Sequence, residues 1–286
     1  MSSPAASLAP WVLFTVMLAL AVGLPSHAWR DWHNHRGLLL RIELSSCLLV
    51  PLVGLLLLCL PGARQLSSDA RHALALMAVC PSAPLILRKA ARAGGDASLA
   101  SLLQIGAALV AIVSVPLLAQ LGQWIFAVGD WDIHPRLVAQ QVLQMQLLPL
   151  LLGFGLRQLA PRLCQRIQGP LDTIANALLL LLVLAVLVKA GPLLLRFVQN
   201  NGTALVVMGM LVVISLVIGS MATGGDRSQR TTAALVTSMR NPGLALLLAS
   251  NHAADQPMIK LGILIYVLLT VALSAPVLRW QQSRLR

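Results

Sequence analysis

The chain has 286 residues, 58% of them apolar and only 10% charged, with a formal charge of +12 and a mean hydropathy of +0.82. A water-soluble domain of this size carries about 25% charged residues, so the composition excludes an ordinary soluble enzyme or binding domain. It describes a polytopic membrane protein.

Nine stretches approach the about 20 mostly apolar residues that a span requires. In chain order they lie near 8–25, 37–60, 72–93, 98–122, 137–156, 171–195, 203–222, 231–250 and 258–279. No Lys or Arg precedes the first, so it reads as a retained span rather than a secretory signal. His27, His33 and His35 share the join 26–36 and read as solvated. The other long joins, around 123–136 and 157–170, are also short, so residues 1–286 form a single membrane domain without tandem repeats.

The third and eighth spans are broken. The third reads Cys80-Pro81-Ser82-Ala83-Pro84 followed by Arg88-Lys89, and the eighth reads Met239-Arg240-Asn241-Pro242-Gly243. Each proline removes a helical N–H and disfavours helix at the residue before it. Lipid cannot satisfy the backbone groups this frees, so such breaks line an enclosed or watery cavity. The two spans are five apart and cross in opposite directions, as inverted repeats of four and five spans require. Paired broken helices of this kind point to a secondary transporter's binding site.

The positive charge is a topology signal. With the N-terminus outside, inner segments hold Arg30, Arg36, Arg92, Arg157, Arg162, Arg166, Arg227, Arg230, Arg279, Arg284 and Arg286. Outer segments hold only Arg64, Arg71, Arg136, Arg196 and Lys260. This cytoplasmic excess sets orientation without implying a nucleic-acid partner. The expected location is a plasma or bacterial inner membrane, with the C-terminus cytoplasmic. Lys189 and Lys260 read as span-end anchors.

Little else carries chemistry. Cys47, Cys59 and Cys80 fall within spans and Cys164 in an inner loop, which gives no disulfide framework. Cys80 alone supports a soft-metalloid site. No P-loop, GxSxG, acidic dyad or HExxH spacing occurs, so neither an enzyme nor a resident cofactor or metal is expected. Asn201-Gly202-Thr203 fits a glycosylation acceptor. Gln140, Gln141, Gln144 and Gln146 make one face of the fifth span polar.

Several motifs carry a resemblance. Cys80-Pro81-Ser82-Ala83 with Gly94-Gly95-Asp96 resembles the Cys-Pro-Gly-Gly…Gly-Asp stretch of the bile acid:sodium symporter family. Arg230-Thr231-Thr232-Ala233 with Met239-Arg240-Asn241-Pro242-Gly243-Leu244 is similar to its Arg-Thr…Met-Gln-Asn-Ser-Gly-Leu signature. Leu48-Leu49-Val50-Pro51 resembles its helix ending in Met-Pro. The likeness spans nearly the whole chain, with the family's first helix missing, as in its nine-helix members. It implies a panel of the first, fifth and sixth spans (near 8–25, 137–156 and 171–195), and a core of the other six in which the broken helices cross. It also implies transport of an organic anion with sodium bound beside the crossing.

The departures concern that sodium. The family places a carboxylate and a carboxamide where this chain has Val236 and Arg240. It places a Ser-Asn pair at Ile86-Leu87 and a glutamine at Ser46. Sodium wants oxygen ligands, and a guanidinium stands where the ion would sit, which argues against sodium coupling.

A guanidinium is permanently charged and offers a rigid donor fork that fits carboxylates and sulfonates. Arg240 lies about ten residues into its span, roughly 15 Å deep at 1.5 Å per residue. A charge there faces a cavity or a partner. It binds the substrate anion, caps the broken helix's free carbonyls, or pairs with Glu43. Arg88 and Lys89 are either ligand-facing or anchors that snorkel to the surface.

The expected protein is therefore an all-α carrier with nine transmembrane helices, moving a small organic anion by alternating access. Its substrate site would comprise Pro81, Ser82, Arg88, Lys89, Arg240, Asn241, Pro242 and Glu43, with lipid as its surroundings. Metalloid oxyanion efflux and a non-transporting membrane sensor or structural protein of the same fold are the alternatives.

Overall fold

The computed structural model describes residues 4–23, 28–83, 90, 93–126, 135–224, 226–253 and 255–283. The described elements are helical, and no strand occurs among them. Helix α1 spans Pro4–Val22 and α2 spans Ala28–Leu44; α2 runs through a π turn at Ser45–Leu49 into α3, Val50–Cys59. A 3₁₀ turn at Pro61–Gln65 precedes α4, Ser68–Val79, and the break that follows leads to α5, Ala97–Phe126. Helix α6, Pro135–Val142, passes through a second π turn, Leu143–Leu147, into α7, Leu148–Leu159. Then come α8, Pro161–Asn200; α9, Gly202–Met221; α10, Arg227–Ser238; α11, Pro242–His252; and α12, Pro257–Ser283.

Among the described residues six segments are long and apolar enough to cross a membrane: His35–Cys59, Ala97–Gly122, Arg136–Leu159, Pro161–Ala185, Gly202–Met221 and Pro257–Pro276. Leu8–Val22 and Pro242–Asn251 are apolar but shorter. The broken regions fall short because α4 ends at Val79 ahead of Pro81, and α10 ends at Ser238 with α11 starting afresh at Pro242. Leu56, Val113, Leu151 and Val206 are exposed large side chains. Such apolar outer surfaces are stable in lipid, where no hydrophobic penalty attaches to them.

Helix α1 packs on α7 and α8, while α4 packs on α12 and α9 on α10. Close approach in the second group depends on glycine. A Cβ on Gly54 would stand 2.5 Å from Ala78 Cβ, and one on Gly262 would stand 2.6 Å from Ala73 Cβ.

The π turns have a common cause. Val50 N–H bonds to Ser45 O five residues back, and the next residue, Pro51, has no N–H to continue the ladder. Leu148 N–H likewise bonds to Leu143 O just before Pro149. Each proline thus leaves one upstream carbonyl without a ladder donor.

Several local expectations change. His33 and His35 lie on α2 rather than in a loop, and Cys164 is buried within α8. Lys260 is 7% exposed and engaged rather than a free surface anchor; the side chain of Lys189 lies outside the described residues. Asn201 is no glycosylation acceptor in this fold. It is buried, accepting from Ser67 Oγ at 2.6 Å and donating to Phe197 O at 3.0 Å.

Candidate functional site at the helix crossing

Both breaks follow directly from sequence chemistry. Helix α4 closes with Cys80 N–H on Leu76 O, 2.9 Å, after which Cys80, preceding Pro81, is extended. Helix α10 closes with Met239 N–H on Leu235 O, 2.9 Å, and the chain extends through Met239 and Asn241. Asn241 then caps α11: its Oδ1 accepts from Leu244 N–H at 3.2 Å, with Pro242 at the first helical position.

The two extended breaks cross and pair. Ala83 N–H donates to Met239 O at 2.8 Å and Asn241 N–H to Pro81 O at 2.7 Å, an antiparallel bridge centred on Ser82 and Arg240. Pro81, Ser82, Arg240, Asn241 and Pro242 therefore come together. Gln104 of α5 supports them, its Nε2 donating to Ser82 Oγ at 2.7 Å. The motif residues also meet: Asp96 N–H donates to Thr232 Oγ1 at 2.8 Å, and Gly94 supplies the turn with φ of 75°.

Arg240 is only 2% exposed. Its Nε donates to Met77 O at 3.3 Å and its Nη2 to Ala78 O at 2.8 Å. Its Nη1 reaches Ser46 O at 2.9 Å, Ser46 Oγ at 3.3 Å and Thr237 O at 3.3 Å. These oxygens are free for identifiable reasons. The helical donor to Met77 O would be Pro81, and the π-register donor to Ser46 O would be Pro51; neither has an N–H. The donor to Thr237 O would be Asn241, whose N–H is spent on Pro81. The C-terminal ends of α4 and α10 also converge here, and their dipoles favour a cation.

The geometry is that of the capping alternative. The expectation of a free guanidinium fork facing an anion meets donors already engaged by backbone oxygens. The Glu43 pairing is not found: Glu43 accepts from Cys47 Sγ at 3.4 Å, and its Oε1 has no partner. Arg88, Lys89, Ile86 and Leu87 lie outside the described residues. The sequence did not single out Ser46 O, Gln104 or Thr232 as parts of the crossing. The prolines were the signal for the first, since counting back from Pro51 identifies the carbonyl that loses its donor.

The family-implied sodium fits this arrangement poorly. The Val236 side chain offers no oxygen, and Met77 O, Ala78 O, Ser46 O and Thr237 O are bound by Arg240.

A narrow, almost wholly apolar cleft lies against the crossing. Val12, Leu13 and Val16 of α1 and Leu179 of α8 face Ala83, Asn241, Pro242 and Gly243 across it. Arg240 does not line it. Asn241 is the polar side chain there, and its buried Nδ2 has no partner among the described residues. The polar face expected on the fifth span is divided: Gln140 and Gln144 are exposed, whereas Gln146 is fully buried. Cys80 is also buried, and no group of three or more His, Cys, Asp or Glu side chains able to hold a metal occurs among the described residues.

A family model described as the SBF-like CPA transporter family matches residues 10–279. No curated protein matches the chain.

Proposed function

The chain belongs to the SBF-like CPA transporter family, and from that premise we propose that it is a sodium-independent secondary carrier of a small organic anion. The family is one of membrane transporters, and with its apolar helices the chain is an integral membrane protein. The anion, the absence of sodium coupling and the mechanism are our own reading.

The supporting observation is the division of labour at the crossing. Helix α11 begins at Asn241–Pro242 on the cleft, and a half-helix N-terminus favours anions through its free N–H groups and dipole. The Asn241 side chain lines the same cleft, and its Nδ2, buried and unpartnered among the described residues, becomes a donor to the anion once the panel and core separate. Arg240 sits behind this surface as a tethered cation at the converging helix C-termini. It supplies permanently the charge that a bound ion would otherwise bring. Substrate binding then needs no inorganic cation.

In this reading α1, α6–α7 and α8 form the panel and the remaining helices the core. The cleft is the contact between them, and it opens alternately to either side. Nine spans, including the two broken ones, put the N-terminus outside and the C-terminal tail in the cytoplasm.

The test uses purified full chain in proteoliposomes with a panel of radiolabelled mono- and dicarboxylates and sulfonates. Saturable uptake of at least one compound in sodium-free choline buffer is expected. No uptake of any compound, alongside metalloid oxyanion flux, would replace this reading with the efflux alternative. Absence of all flux would favour a non-transporting protein.

A further inference from the structure

Glu43 is the acidic side chain most at odds with its surroundings. It sits at the C-terminal end of α2, immediately before the π turn, and is 6% exposed. Among the described residues its Oε1 has no hydrogen-bond partner of good geometry, its Oε2 receives the weak Cys47 S–H donor at 3.4 Å, and the backbone N–H of Ala107 also faces the carboxyl. Space for the carboxyl is provided by α5: a Cβ on Gly106 would lie 2.5 Å from Oε1 and 3.3 Å from the Trp32 ring.

Among the described residues no cation is recorded against the carboxyl. Helix α5 carries no acidic or basic residue along Ala97–Phe126, and neither does α9 or α3. On its own helix lie Arg30, Asp31, His33, His35, Arg36 and Arg41. Helix α10 contributes Arg227 and Arg230 in its first turn. Arg240 reaches the same π turn through Ser46 but is engaged by oxygens other than those of Glu43. Arg88, Lys89 and Arg92 lie outside the described residues. An ionised carboxylate withdrawn from water without a partner costs many kcal/mol, and acidic side chains within spans mark proton and ion pathways.

We propose that Glu43 is a proton-binding site, which takes one proton from water to become a neutral carboxylic acid in the conformation described. The site is linked to the crossing. Cys47, which donates to Glu43, and Ser46, which accepts from Arg240, are successive residues of one π turn. Movement of the broken helices during alternating access would draw on that turn and change the exposure of the carboxyl. Proton release on one side and uptake on the other then couple transport to a proton gradient. The binding site stands independently of the carrier reading, whereas its coupling role rests on it.

The experiment uses the proton itself as the probe. Infrared difference spectra of the full chain in nanodiscs are recorded at neutral and alkaline pH, for the native protein and Glu43→Gln. A protonated-carboxyl C=O band at neutral pH, shifted in D₂O and absent from Glu43→Gln, is expected. The melting temperature of the native protein should fall as the pH is raised, and Glu43→Gln should flatten that dependence. Cys47→Ser, a stronger donor to Oε2, should move the band without removing it, which serves if Glu43→Gln does not fold. Spectra of native protein and Glu43→Gln that are identical in the C=O region, or a native spectrum with no D₂O-sensitive carboxyl band at neutral pH, would overturn the proposal. Because neither measurement needs transport, its failure is distinct from a failure of the uptake assay.

Discussion

Arg240 Nη1 donates to the carbonyl oxygen of Ser46 at 2.9 Å, joining residues 194 positions apart. One proline freed that carbonyl, and the extended chain before another placed the guanidinium. The contact turns three local helix defects, at Pro51, Pro81 and Pro242, into one tertiary arrangement. Helix ends that lipid could not satisfy are satisfied by a single cation.

Replacing that cation should first affect folding. Arg240→Gln leaves several buried carbonyls without donors and is expected to cost about 3–5 kcal/mol, the usual consequence of removing one partner from a buried charged network. Arg240→Lys should recover only part of this, because an ammonium cannot span carbonyls on three helices. Melting temperature and monodisperse yield of the two variants check it. A normal melt for Arg240→Gln, accompanied by lost anion binding, would restore the direct-binding role.

Asn241 separates capping from recognition. Asn241→Asp retains the oxygen that caps Leu244 N–H but removes the unpartnered Nδ2 donor and adds negative charge on the cleft. At 2% exposure the new carboxylate should lower the melting temperature at neutral pH, and uptake of every carboxylate in the panel should fall by more than the loss of folded protein explains. Asn241→Ala should lose about 1 kcal/mol with the cap. Full transport by a well-folded Asn241→Asp would remove the amide from the site.

Sodium should have no specific effect. An ion that binds one state raises its stability with concentration, and the oxygens suited to a hard cation are already bound by Arg240. Melting curves in sodium and in choline at equal ionic strength are expected to superimpose. A saturable rise confined to sodium would reveal a site formed by other oxygens.

Gly219 tests the packing behind the crossing. A Cβ there would collide with Thr237 Oγ1 and come within 2.5 Å of Ala233 O, while Thr237 Oγ1 already donates to Ser215 O at 2.8 Å. Gly219→Ala should therefore destabilise by about 1–3 kcal/mol through overpacking. Thermal denaturation measures this; an unchanged melt would mean that α9 can shift away from α10 without loss.

Reporter fusions at the two ends test the orientation. The arginine asymmetry predicts that a fusion after Arg286 reports from the cytoplasm and one before residue 1 from outside. Both ends on one side would require an even number of spans.

The sequence alone determined the membrane character, the two broken regions and the family likeness, because each rests on local chemistry. A run of leucines fits lipid, and a proline lacks its N–H whatever surrounds it. Tertiary structure decided which groups meet the freed backbone. Arg240 could equally have faced an anion, Glu43 or carbonyls, and spacing along the chain does not distinguish these. The crossing of α4 and α10, with the π turn of α2 brought alongside, set its donors on Met77, Ala78, Thr237 and Ser46. The same packing enclosed Asn201, which sequence motifs assign to a surface, and left Glu43 Oε1 without a partner among the described residues. Burial and hydrogen-bond partnership depend on how helices distant in sequence approach one another, and that approach is a property of the assembled fold.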